Sequence, residues 1–226
     1  MESLLAQPVD LAIQPFPAKR TVSGDTPDVL RAVLQPDVAM AVWQRDGRAA
    51  PASWVGQLPD RNLPHGRVLV TCEEAPIAIR RMLADAGVAI DRDACGFIAD
   101  VCRIVRLFSD IAGENCVDLR LETIAGDACW KFHRDWVPLR LLCTYRGPGT
   151  QYVPPCHAHE ALSAQGDYRG PLLQMPLMSP AIFRGARSEP GGGVVHRSPP
   201  IAGQGVSRLL LCLNLPSATS PERFRA

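Results

Sequence analysis

Glu122-Thr-Ile-Ala-Gly126-Asp-Ala-Cys-Trp-Lys-Phe-His133-Arg-Asp135 reads as the end of one strand, a turn at Gly126-Asp127 and a second strand over 128–135. Just upstream, Val117, Leu119 and Leu121 alternate with Asp118, Arg120 and Glu122, the period-two pattern of a half-buried strand. Residues two apart on an extended segment project to the same side, so His133 and Asp135 share a face. Two ligands of one metal need that geometry. His196 lies on a separate predicted strand, 194–197, and can close a three-point face. Two imidazoles and one carboxylate leave other coordination positions open, which suits non-haem Fe(II) oxygen chemistry. A His-x-Asp triplet alone carries little weight in a chain with five histidines, so its surroundings matter.

Outward from this stretch, 139–145 predicts a returning strand, closed by Gly147-Pro148-Gly149. Residues 150–170 read as polar loop, and 172–183 as strand, turn, strand punctuated by Pro176 and Pro180. Gly191-Gly192-Gly193 predicts a tight turn, and 207–215 a clear final strand. The N-terminal side differs in character. The first 25 or so residues hold three prolines and read as an irregular lead-in, and 26–57 mixes short apolar pieces with turn signals such as Asp46-Gly47. A short strand over 66–71 precedes two helices. Pro76 suits the first turn of one, with Ile79, Met82 and Leu83 as its apolar face and Gly87 as its stop. The other runs from about 92 to 111. Its Phe97, Ile98, Val101, Val105, Phe108 and Ile111 form an apolar stripe, and Asp100, Arg103, Arg106 and Asp110 face away. Helices first and six or more short strands after imply an α+β fold: a helix layer backing an antiparallel sheet or barrel. One domain is expected, with 1–115 helical and irregular, 116–216 strand-rich and 217–226 a tail.

Composition excludes several function classes. The 226 residues carry 24 Lys+Arg against 23 Asp+Glu, a net charge of +1, so no basic footprint for a nucleic-acid backbone or an anionic membrane exists. At 46% hydrophobic and 21% charged the chain is globular in type, and at this length about 70% of its surface can be buried. No stretch reaches the ~20 apolar residues of a membrane helix, and no secretory signal opens the chain. The eight cysteines form no C-x-x-C pair, so they read as reduced, buried small hydrophobes of a cytosolic protein. Neither a G-x-S-x-G elbow, an H-E-x-x-H helix nor a Walker loop occurs, which argues against a hydrolase or nucleotide-dependent chemistry.

The region 116–216 resembles the Fe(II)- and 2-oxoglutarate-dependent dioxygenases, which are built on a double-stranded β-helix of jelly-roll or cupin-like form. The resemblance rests on His133-x-Asp135, the distal His196, Gly147-Pro-Gly-Thr150 in place of the family's Gly-Gly-x-Thr turn, and Arg208 twelve positions beyond His196. It implies His133, Asp135 and His196 as iron ligands and Arg208 as the anchor of the far carboxylate of 2-oxoglutarate. It also implies oxidative decarboxylation of 2-oxoglutarate to succinate coupled to hydroxylation or demethylation of a substrate, small molecule or protein, that the sequence does not name. The whole chain also resembles a bacterial family catalogued only as a domain of unknown function.

The residues taken alone are compatible with these roles. Arg208 offers a planar fork for a carboxylate. Strand alternation sets it on one face with Leu210, Cys212 and Asn214, although at the start of a strand it could also reach solvent. Tyr145 could donate to a 2-oxoglutarate carboxylate, or simply pack in the core. Trp130 and Trp136 flank the ligand pair and read as aromatic filling, with a pocket wall as the alternative. Two competing readings remain. Cys156-His157-x-His159, with Cys129 or Cys143, offers a zinc ligand set, though its proline-rich surroundings read as solvated loop. A non-catalytic β-barrel could hold zinc on the same His-Asp-His set, but it would have no need of a carboxylate clamp such as Arg208.

Overall fold

A seven-stranded sheet organises the residues that the computed structural model describes, 20–47, 50–188 and 192–225. In chain order the elements are β1 (Arg20–Gly24), β2 (Val38–Trp43), α1 (Ala50–Gln57), β3 (Gly66–Thr71), α2 (Ala75–Asp85) and α3 (Arg92–Ala112). They continue with β4 (Cys116–Ile124), β5 (Leu139–Arg146), β6 (Gln151–Tyr152), α4 (Ala158–Ala164), β7 (Leu173–Gln174), β8 (Ala181–Arg184), β9 (His196–Arg197) and β10 (Arg208–Asn214). The large sheet has the order β1-β2-β8-β5-β10-β4-β3, with β1 and β2 parallel and every other neighbour antiparallel. A small antiparallel sheet, β7-β6-β9, forms separately.

Strand alternation sorts the large sheet into two chemically different faces. Leu209, Leu211 and Leu213 of β10, Leu119 and Leu121 of β4, and Leu141 and Cys143 of β5 join one core with Phe97, Val101, Val105 and Phe108 of α3 and Ile79 and Leu83 of α2. Helix α3 is well bounded. The Asp91 side chain accepts from the Ala94 backbone N–H at 2.8 Å, and Gly113 ends the helix in the left-handed region. The opposite face holds Leu142, Leu210 and Cys212, and meets Met175, Val194 and Tyr152 around the small sheet. The candidate site lies on this second face, away from the helices.

Several expectations need correction. Arg20–Gly24 is a strand, not irregular lead-in: its polar side chains hide it from hydrophobic pattern, and pairing with the fully buried β2 holds it. Residues before 20 lie outside the described chain, as does Gly191 of the predicted glycine turn. The segment 128–135 is not a strand. Cys129 takes a left-handed φ of 53°, and Asp127 turns back to accept from the Ile201 and Ala202 backbone N–H groups. Only His133 keeps a β-bridge. The 150–170 stretch holds α4, seated through Ala158 and Ala161 against Phe132 and Val195. The cysteines are all free, but only Cys143 and Cys212 are buried, and Cys95, Cys129 and Cys156 are exposed. No helix among the described residues is long and apolar enough to cross a membrane.

Candidate metal centre

His133 and His196 meet across an isolated antiparallel bridge, each donating its backbone N–H to the other's carbonyl, at 3.0 and 3.1 Å. This double pairing sets the two rings side by side, with centroids 4.6 Å apart. Each ring is then oriented by its own backbone. Nδ1 of His133 lies 2.8 Å from the Lys131 carbonyl, and Nδ1 of His196 lies 3.0 Å from the Val194 carbonyl. A carbonyl only accepts, so both Nδ1 atoms carry protons, and in the neutral ring each Nε2 is a bare lone pair.

Asp135 follows two residues later on an irregular segment that β8 supports. The Ala186 backbone N–H donates to the Asp135 carbonyl at 2.8 Å, and that of Gly185 donates to the Pro138 carbonyl at 3.1 Å. Gly185 permits this approach, since a Cβ there would lie 2.1 Å from the Val137 oxygen and 2.7 Å from that of Asp135. Gly185→Ala is therefore expected to cost about 1–3 kcal/mol of stability and to displace Asp135. Urea melts and metal affinity measured together check this; an alanine variant unchanged in both contradicts it.

The ligand atoms of His133, Asp135 and His196 all lie within 4.8 Å of one another. Asp135 is 8% exposed. Its Oδ1 takes the Arg140 Nη1 at 2.6 Å and lies 3.6 Å from His133 Nε2. Its Oδ2 lies 3.2 Å from His196 Nε2, yet it has no hydrogen-bond donor. Burial alone would raise the Asp135 carboxyl, but His196, Arg140 and His133 together hold it below its ordinary value. Burial, reinforced by His196, lowers the His133 ring, which keeps it neutral near pH 7. Two imidazole nitrogens and a carboxylate oxygen thus converge. That arrangement fits a divalent cation.

Arg208 is fully buried at the start of β10. Its Nε donates to the Pro148 carbonyl at 2.7 Å, Nη1 to Ser198 Oγ at 2.7 Å and Nη2 to Thr150 Oγ1 at 3.2 Å. Among the described residues no carboxylate lies within ion-pair distance of it, and desolvation draws its pKa down to about 10. It therefore stays charged at neutral pH, and Glu122, itself paired with Arg120, is the acidic residue whose charge reaches it. Ser198 and Thr150, which it grips, line a cavity of about 80 Å³ together with His133, His196 and Cys212. The Gly-Pro-Gly-Thr turn is tight because a Cβ on Gly149 would lie 1.9 Å from the Met175 oxygen, and this close approach presents Thr150 to the guanidinium.

Residues 24–214 match the model of the DUF1826 family, described as a protein of unknown function. The chain belongs to this family. No curated protein is similar to it in sequence. Among solved structures, the DUF1826 chain is similar to a dioxygenase for auxin oxidation from Arabidopsis thaliana in a 2-oxoglutarate complex, with a TM-score of 0.43 and 12% identity over 91% of this chain and 96% of that one. It is also similar to AviO1 of Streptomyces viridochromogenes, with a TM-score of 0.41 and 14% identity over 88% and 99% of the two chains. A bsmA homolog from Methylobium petroleophilum gives a TM-score of 0.40 and 11% identity over 88% and 94%.

The DUF1826 chain does not bring Tyr145 to this cavity. Tyr145 alternates with Leu141 and Cys143 along β5 and so projects to the helix face, where its ring meets Phe97 at 5.0 Å. Its hydroxyl donates to Asp100 Oδ2 at 2.6 Å, and burial raises it well above its ordinary pKa. Tyr145 is thus no ligand of a molecule bound beside Arg208. Asp100 accordingly faces inward, not away. Trp136 is 77% exposed and Trp130 37%, so neither is core filling. Cys156 is exposed, His157 pairs with Glu160 at 3.3 Å, and Cys143 lies buried on the helix face. The second zinc set is therefore not assembled; among the described residues only His133, Asp135 and His196 converge. Sequence reasoning missed Arg140 and Ser198, and set Asn214 on the face of Arg208 without giving it a part. Alternation places Arg140 and Asn214 on the cavity face of their strands, but only the β5–β10 register shows that they are opposite each other.

Proposed function

We propose that this protein is an Fe(II)- and 2-oxoglutarate-dependent oxygenase whose two opposed sheets form a double-stranded β-helix. The observation that carries the reading is a pair of unmet electrostatic demands in one cavity. The buried Asp135 Oδ2 faces His196 Nε2 without a hydrogen-bond donor, and among the described residues the buried Arg208 guanidinium has no carboxylate within ion-pair distance. A divalent metal answers the first demand and a carboxylate the second.

His133, Asp135 and His196 would hold the iron. Arg208, with the Ser198 and Thr150 hydroxyls beside it, would bind the distal carboxylate of 2-oxoglutarate. When bound, iron and 2-oxoglutarate supply O₂ activation, with succinate and CO₂ as products and an oxidised substrate. The chain's own part is positioning. The Lys131 and Val194 carbonyls fix the tautomers of both imidazoles, and the buried strand face excludes water. Exposed Trp130 and Trp136 lie next in the chain to this machinery and are available to a substrate.

Anaerobic addition of Fe(II) and then 2-oxoglutarate to the purified protein tests the proposal. A visible metal-to-ketoacid charge-transfer band is expected, and His133→Ala should abolish it. A folded, iron-loaded protein without the band overturns the oxygenase reading and favours a zinc-binding barrel.

A further inference from the structure

Asp135 stands apart from the two histidines in how it is held. They are locked by a backbone bridge, whereas Asp135 lies outside any strand, on the segment that links the bridge to β5. Its carboxylate needs a support that its own backbone does not provide. Arg140 on β5 supplies one. The Arg140 Nη1 takes Asp135 Oδ1 at 2.6 Å, while its Nε donates to Asn214 Oδ1 at 2.7 Å. Asn214 is the residue opposite Arg140 in the β5–β10 register, and its Nδ2 in turn faces Cys212 Sγ at 3.6 Å. A strut therefore runs from the interior strand β10 through a planar guanidinium to a loop-borne carboxylate.

Resting on the metal-centre reading above, we propose that Arg140 is the positioning residue of Asp135, anchored by Asn214, and that it reserves Oδ1 so that Oδ2 alone is offered to a metal. The division of the carboxylate is already present. Oδ1 is ion-paired with the Arg140 guanidinium, and Oδ2 has no donor and points at His196 Nε2. A free carboxylate could swing both oxygens toward a cation and consume a coordination position. A guanidinium ion-paired with one oxygen and braced by its hydrogen bond to Asn214 opposes that rotation. Lysine could not do the same, since a single ammonium on a flexible stem has no fork to bridge Asn214 and Asp135.

The test uses Co(II), which binds such sites and reports coordination through its visible absorption, without turnover. Relative to wild type, Arg140→Met should lower Co(II) affinity by about 10- to 100-fold. It should also change the shape and intensity of the Co(II) spectrum at saturation, which a merely structural residue would leave alone. Arg140→Lys should recover only part of the affinity and not the spectrum, and Asn214→Ala should shift both readouts in the same direction by less. Thermal melts of the metal-free variants establish folding. If Arg140→Met does not fold, Asn214→Ala decides on the same two readouts. Wild-type affinity and spectrum in Arg140→Met, or in Asn214→Ala where that variant decides, overturn this inference while leaving the metal centre standing. Wild-type protein that binds no Co(II) in a His133-dependent way overturns both.

Discussion

Arg208→Met is expected to weaken 2-oxoglutarate binding by at least about 100-fold while leaving the metal-free fold nearly as stable as wild type. The two halves of this result have one cause. The guanidinium is buried, charged and bonded only to neutral acceptors: the Pro148 carbonyl and the Ser198 and Thr150 hydroxyls. Those bonds use three of its five N–H groups, so two remain for a ligand. A carboxylate accepting both would make two charge-assisted hydrogen bonds in a low-dielectric site, each worth about 1.5–3 kcal/mol, or two to four powers of ten together. Without that ligand the charge is a burden on the fold, and an apolar side chain of similar length removes it. Arg208→Lys keeps the charge and loses the fork, so it should recover only part of the affinity. Calorimetric titration of 2-oxoglutarate into anaerobic Fe(II) protein, with parallel urea melts, provides both readouts. An unchanged Kd in the methionine variant would remove Arg208 from the site.

The sequence made some of this visible and hid the rest for physical reasons. Strand β4 and helix α3 carry clean periods, because each sends an apolar row into the helix-side core and keeps most of its charged residues on the other side. Strand β2 is buried at every position, so it has no alternation to read, and β1 shows no apolar pattern because it lies at the sheet's edge. His133 and Asp135 were legible as a pair, although the strand that was to align them does not form. The pairing of His133 with His196 does that work through two backbone hydrogen bonds across sixty-three residues of chain, which no local pattern encodes. Tyr145 shows the converse. Alternation within β5 groups it with Leu141 and Cys143, but which face of that strand bears the cavity is set by the neighbouring strands and by the helices packed behind the sheet. Arg140 reads as a surface arginine until Asn214 is opposite it.

Asp100→Ala should destabilise the fold by about 3–5 kcal/mol, the largest single-residue stability loss expected here. Asp100 projects from α3 toward the sheet and accepts from Arg45 Nη1 at 2.5 Å, Arg45 Nη2 at 3.2 Å and the Tyr145 hydroxyl at 2.6 Å. Arg45 is itself fixed by the Met178 carbonyl and lies over the Trp43 ring at 4.8 Å. The two charged side chains are only 12% and 13% exposed, so water can replace little of what the pair provides. Truncating the acid leaves a guanidinium and a phenol without their acceptor in the largest core of the protein, and it removes the polar tie between α3, β5 and the end of β2. Asp100→Asn keeps an acceptor but not the charge and should fall between. Tyr145→Phe removes one hydrogen bond and should cost about 1–2 kcal/mol. Because Tyr145 faces the helices, that variant should bind 2-oxoglutarate with wild-type affinity. Urea denaturation of the three variants measures the series. An Asp100→Ala variant within about 1 kcal/mol of wild type would mean that the helix layer is held by apolar packing alone, and a Tyr145→Phe variant that loses 2-oxoglutarate would return that hydroxyl to the cavity side of the sheet.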